Sequence, residues 1–235
     1  MLLSPLIILG ALALFLIISG LFEFRYHQLT LANLPVRIHV NGTRGKSSVT
    51  RLIAAGLRAG GRRIFAKTTG TAPRVIDAQG IDRIIHRLRR PSIGEQVRLL
   101  KYFASEKPDV VVMECMAVQP QYQWISEHQM VKSQIGVITN ARPDHLDEMG
   151  PTEVDVVKSL CNSIPIGGTI VTAEEKHKSI LKFVARNNQS EILFSKEKSV
   201  TDSELSKFNY IEHPQNIAIA LDVCHKMGIP RDIAL

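Results

Sequence analysis

Two hydrophobic patterns divide this chain. From Leu2 to Phe22 no residue is charged, and nearly every position is Leu, Ile, Ala, Phe or Gly; a run of ~20 apolar residues suffices to cross a bilayer as a helix. Beyond it, short β-branched runs alternate with segments of helical period. Val36-Arg37-Ile38-His39-Val40 reads as a strand. Ser47 to Gly60 reads as a helix, with Val49, Leu52, Ile53, Gly56 and Leu57 at helical spacing and Gly60-Gly61 as its stop. Arg63 to Thr68 predicts a second strand, and Ile93 to Glu106 a helix with Val97, Leu100, Phe103 and Ala104 on one face, ended by Pro108. Asp109 to Glu114, Ile135 to Asn140 and Gly168 to Thr172 read as further strands, almost wholly apolar as central parallel strands covered on both faces are. The alternation predicts an α/β fold, a doubly wound and mostly parallel sheet over residues 35–235, preceded by one transmembrane helix over 1–24. Ser195 to Tyr210 is polar and weakly patterned, a surface excursion.

The apolar run fits an uncleaved anchor better than a signal peptide. Nothing before Leu6 is basic, the run is long, and it exits through Glu23-Phe24-Arg25-Tyr26-His27 with no small-residue cleavage site. Arg25, Arg37, Arg44 and Lys46 all follow the run and none precedes it. Basic flanks stay on the cytoplasmic side, so the expected location is the cell membrane, single-pass, with the body of the protein in the cytoplasm.

Between the first strand and its helix lies Gly42-Thr43-Arg44-Gly45-Lys46-Ser47-Ser48. Glycines let a backbone approach phosphates and turn N–H groups toward them, and the helix N-terminus adds partial positive charge. Lys46 reaches the β- and γ-phosphates and the Ser47 hydroxyl ligates Mg²⁺ in such a loop. The general phosphate-loop pattern would place glycine at Val40, so this is a shortened GxxGK[ST] loop. It predicts ATP and Mg²⁺ as cofactors.

Composition narrows the partners. The net charge is +7, from 29 Lys+Arg against 22 Asp+Glu, which suits an anionic partner. One Trp and four Tyr give no aromatic-basic platform for stacking bases, so no nucleic acid is expected. Cys115, Cys161 and Cys224 are widely separated and fit a reducing compartment, each read as a small buried hydrophobe. Arginine is dense from Asp82 to Arg90; a solvated face is the default there, and a patch for the membrane surface or a polyanionic product the sharper alternative.

The loop GTRGKSS resembles the GTNGKTT loop of the Mur ligase superfamily, enzymes that join amino acids to acids through an acyl phosphate. Glu114, ending Val111-Val112-Met113-Glu114, is similar to the superfamily's Mg²⁺-holding glutamate, and Asn140-Ala141-Arg142-Pro143-Asp144-His145-Leu146-Asp147 to its N-x-x-x-DHLD segment, whose histidine holds a second Mg²⁺. Within the superfamily, Arg44, Thr69-Gly70-Thr71, Glu114 to Pro120 and Asp144 to Gly150 resemble the poly-γ-glutamate synthase catalytic-subunit family. That resemblance implies a ligase of capsule synthesis working with other subunits of a membrane poly-γ-glutamate synthase complex, with glutamate and polyglutamate as substrates. Another Mur-type ligase, acting on folylpolyglutamate or a cell-wall precursor, and an ATP-binding assembly subunit without catalysis are the alternatives.

The residue assignments follow. Lys46, Glu114 and His145 are expected to be catalytic; Ser47, Glu114 and His145 to hold metal; and Gly42, Thr43, Arg44, Gly45, Lys46, Ser47, Ser48 and Asn216 to bind nucleotide. Glu114 stands at the strand end where α/β sheets bind ligands, and so does His145; an imidazole on Mg²⁺ rests on the resemblance, since that ion prefers oxygen. Thr69 and Thr71 are either turn hydroxyls or contacts to Mg²⁺ or substrate. Asn216, in His213-Pro214-Gln215-Asn216, resembles the second asparagine of the superfamily's H-N-x-x-N-A segment; the histidine spacing departs by one, and His213 is not carried over. Leu160 stands where many Mur ligases place a carbamylated lysine, the nearest lysine being Lys158. The chain's ending at Leu235 is read as a fragment or a truncated product with the C-terminal ligase domain absent.

Overall fold

The computed structural model describes residues 5–70, 72–87 and 91–235. Thr71 and the 88–90 end of the arginine-rich stretch therefore lie outside the described residues, as do 2–4 of the apolar run.

Helix α1 (Pro5–Ala32) is 28 residues long. At 1.5 Å per residue it extends ~42 Å, about two turns more than the ~30 Å hydrocarbon layer needs. Its apolar part packs on nothing, and the helix is long and apolar enough to cross a membrane. It continues past residue 24, where the anchor was expected to end, and buries His27, Thr30 and Leu31 against the body of the protein. Arg37 fixes that end: its guanidinium donates to the carbonyls of Leu31 (2.8 Å), Leu34 (2.6 Å), Val131 (2.8 Å) and Lys132 (2.8 Å).

An eight-stranded sheet forms the body, in the order β4-β3-β2-β5-β1-β6-β7-β8. Strands β1 (Val36–Asn41), β2 (Ile64–Thr68), β5 (Val110–Glu114), β6 (Ile135–Ile138), β7 (Thr169–Thr172) and β8 (Glu191–Phe194) run parallel. The short β3 (Arg74–Ile76) and β4 (Asp82–Ile84) add an antiparallel edge. The mostly parallel, doubly wound sheet is thus as expected, while β3, β4 and β8 escape the hydrophobic pattern.

Alternate residues of the central strands feed opposite cores, as the pleat requires. On one face Ile38, Val40, Ala66, Val110, Val112 and Val137 meet Val49, Ile53 and Leu57 of α2 (Lys46–Ala59) and Ile219 and Val223 of α9 (Pro214–Lys226). On the other, Phe65, Val111 and Met113 meet Leu100 and Phe103 of α3 (Gly94–Ser105) together with Leu31 and Leu34. A second cluster on α6 (Glu153–Leu160) and α7 (Lys178–Asn187) covers Ile138 and Ile170. Strand β1 lies between β5 and β6, so the chain leaves it toward one half of the sheet and later fills the other. Crevices for ligands open at the carboxyl ends of strands at such a switch point, where the glycine loop begins.

Candidate nucleotide and metal site

One cavity of about 660 Å³ opens at this edge, lined by Gly42 to Ser48, Thr69, Gly70, Arg87, Glu114 to Val118 and His145 among others. The glycine loop, Glu114 and His145, widely separated in sequence, therefore share one wall-to-wall space. Gly42 (φ +130°) and Gly45 (φ +81°) hold conformations that side chains resist. A Cβ on Gly42 would stand 2.0 Å from Thr139 Oγ1, and one on Gly45 2.7 Å from Asn216 Oδ1.

The loop is braced from β6. Asn140 Oδ1 accepts from the Thr43 hydroxyl (2.7 Å) and the Arg44 N–H (3.2 Å), while Asn140 Nδ2 (3.0 Å) and Thr139 Oγ1 (2.6 Å) donate to the Arg44 carbonyl. Thr43 Oγ1 in turn accepts from the Arg142 N–H at 2.9 Å. The N-x-x-x-DHLD segment thus acts first as a scaffold for the loop. Thr139 and Asn140 were not singled out as site residues in sequence, where a polar residue after a strand has no unique reading.

Glu114 is buried and fully engaged. Its Oε2 accepts from Ser47 Oγ (2.8 Å) and the Thr69 N–H (2.8 Å), and its Oε1 from Thr69 Oγ1 (2.5 Å). Thr69 is therefore a partner of the carboxylate and not a free turn hydroxyl. By donating its one proton to Glu114, Ser47 keeps both lone pairs for a cation. Among the described residues no group of three or more His, Cys, Asp or Glu is arranged to hold a metal ion by itself. Hydroxyl and carboxylate oxygens without a full protein cage suit Mg²⁺, which keeps waters and takes phosphate oxygens as ligands; the donor set fits that ion.

Lys46 curls back, its Nζ donating to the carbonyls of Gly42 (2.6 Å) and Thr43 (3.3 Å), at the N-terminus of α2 where an anion is favoured. Arg44 reaches outward to Asp144 (3.2 Å). His145 has a positive φ (+47°) and an exposed ring that lines the cavity. Asn216 stands behind Gly45, buried, with its amide donating to Glu212 Oε1 (2.7 Å); it does not line the cavity. Leu160 is buried in the α6 core and Lys158 is on the surface beside Asp155, so neither lines it.

The two described arginines of the basic stretch are both paired. Arg83 meets Asp77 (3.2 Å), and Arg87, on the cavity wall, is clasped by Glu95 at 2.7 and 2.9 Å. Glu95 also faces the fully buried Lys67 Nζ at 3.3 Å. The hydrogen bonds from Arg87 hold the Glu95 carboxyl below the usual range, and burial pulls the Lys67 ammonium down against the pull of Glu95. On the same buried side, His39 Nδ1 meets Glu127 at 2.8 Å. Burial opposes charge there, but the neighbouring Cys115 thiol and Glu127 outweigh it and carry His39 up to about 10. The three cysteines are free and buried, as expected.

The sequence profile of the Mur ligase middle domain matches residues 40–229. The chain is similar to the capsule biosynthesis protein CapB of Bacillus anthracis, with 37% identity over 99% of this chain and 51% of the relative. It is also similar to the PGA synthase CapB of Bacillus subtilis (strain 168), with 35% identity over 93% of this chain and 56% of the relative. The chain thus spans about half the length of the curated relatives it matches. Among solved structures, E. coli FolC in complex with ADP superposes with a TM-score of 0.66 at 17% identity, covering 89% of this chain and 58% of that one. The bifunctional folylpolyglutamate synthase/dihydrofolate synthase of Yersinia pestis, complexed with AMPPNP and Mn ion, gives 0.64 at 18% identity over 88% and 57%. At that identity the two structures bear on the fold alone. With the profile covering most of the chain and the loop, Glu114 and the His145 segment gathered on one sheet edge, the chain belongs to the Mur ligase middle domain family.

Proposed function

We propose that residues 35–235 are the ATP-binding part of a membrane-anchored amide ligase of poly-γ-glutamate synthesis. The observation that carries this reading is the single cavity that joins Lys46, the Ser47–Glu114 hydrogen bond and His145, in a chain 35–37% identical to two proteins named for capsule and PGA synthesis.

In this reading ATP lies on the Gly42–Ser48 loop, with Asn216 supporting the loop from behind Gly45. Lys46 releases the Gly42 and Thr43 carbonyls and turns its ammonium to the phosphates. A carboxylate oxygen of the growing chain attacks the γ-phosphorus, the bond to the β-bridging oxygen breaks, and ADP leaves. The amine of an incoming glutamate then attacks the acyl carbon, phosphate departs with the C–O electron pair, and the amine proton passes to solvent. Lys46 and the loop N–H groups bear the charge that develops during phosphoryl transfer. Ser47, Glu114 and His145 would hold Mg²⁺, which supplies charge neutralisation between phosphate oxygens. The apolar α1 fits a single-pass anchor, and the basic residues that follow it support a cytoplasmic cavity, where ATP is. Partners in this reading are the remaining subunits of a membrane synthase complex.

Membranes carrying the full-length protein are expected to release ADP from ATP in a glutamate-dependent way, and Lys46→Ala membranes to lose that dependence. Release unaffected by glutamate and equal in the two would overturn the ligase reading. Binding of ATP without any turnover would instead support the assembly-subunit alternative.

A further inference from the structure

Away from the nucleotide cavity, the end of α1 and the outer face of α3 enclose two adjoining hollows of about 590 and 620 Å³. Tyr26, Thr30, Arg98 and Lys101 line both. Lys101 Nζ stands 4.6 Å from the centroid of the Tyr26 ring. Neither Arg98 nor Lys101 takes part in an ion pair among the described residues. The one carboxylate on the walls is Glu23, at the rim toward the apolar run.

His27 lines the same space and is more than nine-tenths buried. Its Nε2 lies 2.8 Å from the Met130 carbonyl, while its Nδ1 is buried with no partner. Depth along α1 points to what the basic walls of these hollows face. Tyr26 follows Phe22, the last residue of the uncharged run, by four positions, ~6 Å along the helix axis. That is the level of the headgroup layer, where the exposed aromatic rings of Phe22, Phe24 and Tyr26 also belong.

We propose that this junction seats the headgroup of an anionic phospholipid. Its phosphate lies between Arg98 and Lys101. The inference rests on α1 being a membrane anchor. Because α3 also carries Glu95, which clasps Arg87 on the nucleotide cavity wall, an occupied headgroup site steadies the helix that positions that arginine.

The test compares the full chain in phosphatidylcholine nanodiscs with and without phosphatidylglycerol, by hydrogen exchange over residues 94–105. Phosphatidylglycerol is expected to slow exchange there. At about 1 kcal/mol for each basic side chain at a membrane surface, Arg98→Gln/Lys101→Gln is expected to raise the lipid concentration needed about 30-fold. Arg98→Lys/Lys101→Arg, which keeps both charges, is expected to retain the response. Equal exchange in the two lipids, with the protein still resistant to carbonate extraction, would overturn the headgroup site and leave the anchor standing. Release of the protein by carbonate would overturn the anchor and the site with it. An equal response to soluble glycerol phosphate in phosphatidylcholine nanodiscs would overturn the lipid as the source of the phosphate.

Discussion

Gly42 shows how tightly single residues are specified at the head of the loop. Its φ of +130° is one that L side chains avoid, and a Cβ would meet Thr139 at 2.0 Å from Oγ1 and 2.9 Å from the backbone nitrogen. The backbone contact cannot be relieved by a rotamer change. Gly42→Ala is therefore expected to cost about 1–3 kcal/mol of stability. Gly70→Ala, whose nearest contact would be Ser47 Oγ at 3.5 Å, is expected to leave stability nearly unchanged. Urea midpoints of the two variants decide the matter; equal midpoints would mean that the loop is not strained at Gly42. The same scale explains why the meeting of Lys46, Ser47 and Glu114 at one cavity was legible in sequence and the bracing by Thr139 and Asn140 less so. A lysine after glycine at a helix start has few other uses, and neither does a carboxylate after four apolar residues. The bracing hydrogen bonds from Asn140 join residues nearly a hundred positions apart, and nothing local announces them.

At the scale of elements, β1 is tied to the π-helical turn Ser126–Val131 by a buried charge pair. Glu127 accepts from His39 on one oxygen and from the Ser133 N–H (2.8 Å) and hydroxyl (2.9 Å) on the other. His39 titrates near 10 when folded, against 6.5 in a free chain. A raised histidine value stabilises the fold fully below pH 6.5, and that contribution declines as pH rises toward and through 10. Glu127→Gln removes the carboxylate from a buried pair, with an expected cost of about 3–5 kcal/mol at pH 6. The gap between the variant and the parent should narrow at pH 9, read from urea midpoints at the two values. A constant gap would show that the Glu127 carboxylate is not what sustains the charge on His39. Long parallel elements were legible because their burial on two faces leaves continuous apolar runs such as Val110–Met113. The edge strands were not: β3 and β4 have three residues each, too few to show a period, and β4 opens the charged stretch from Asp82. Arg83 pairs with Asp77 on a solvated face, with two-thirds of its side chain exposed, as the default reading has it, whereas Arg87 is clasped by Glu95; both acids lie just outside the charge run, six and eight positions away.

For the whole molecule, the question is where the apolar helix ends and the domain begins, since α1 runs unbroken through both. Hydropathy alone stops the anchor near Glu23, yet the helix runs unbroken to Ala32 and its last turns belong to the core beneath β2 and β5. Leu31 and Leu34 are 4% and 1% exposed, packed with Phe65, Leu100 and Phe103. Removing them forfeits the burial of two leucines, about 3–6 kcal/mol, from a domain whose total stability is about 5–15 kcal/mol. It also leaves Arg37 with a buried guanidinium that has lost the Leu31 and Leu34 carbonyls. Deleting residues 2–22 removes only the exposed apolar surface of the helix and keeps His27, Leu31 and Leu34. That shortened protein is expected to be monomeric without detergent and to retain ATP binding. A deletion of residues 2–35 is expected to aggregate or to unfold at much lower urea. Size-exclusion chromatography and urea titration of both, with ATP-dependent stabilisation as the readout of an intact site, make the comparison. If the longer deletion proved as soluble and as stable as the shorter, the end of α1 would be a plain tether, and the proposed link from the headgroup site through α3 to the Arg87 wall of the cavity would have no structural basis.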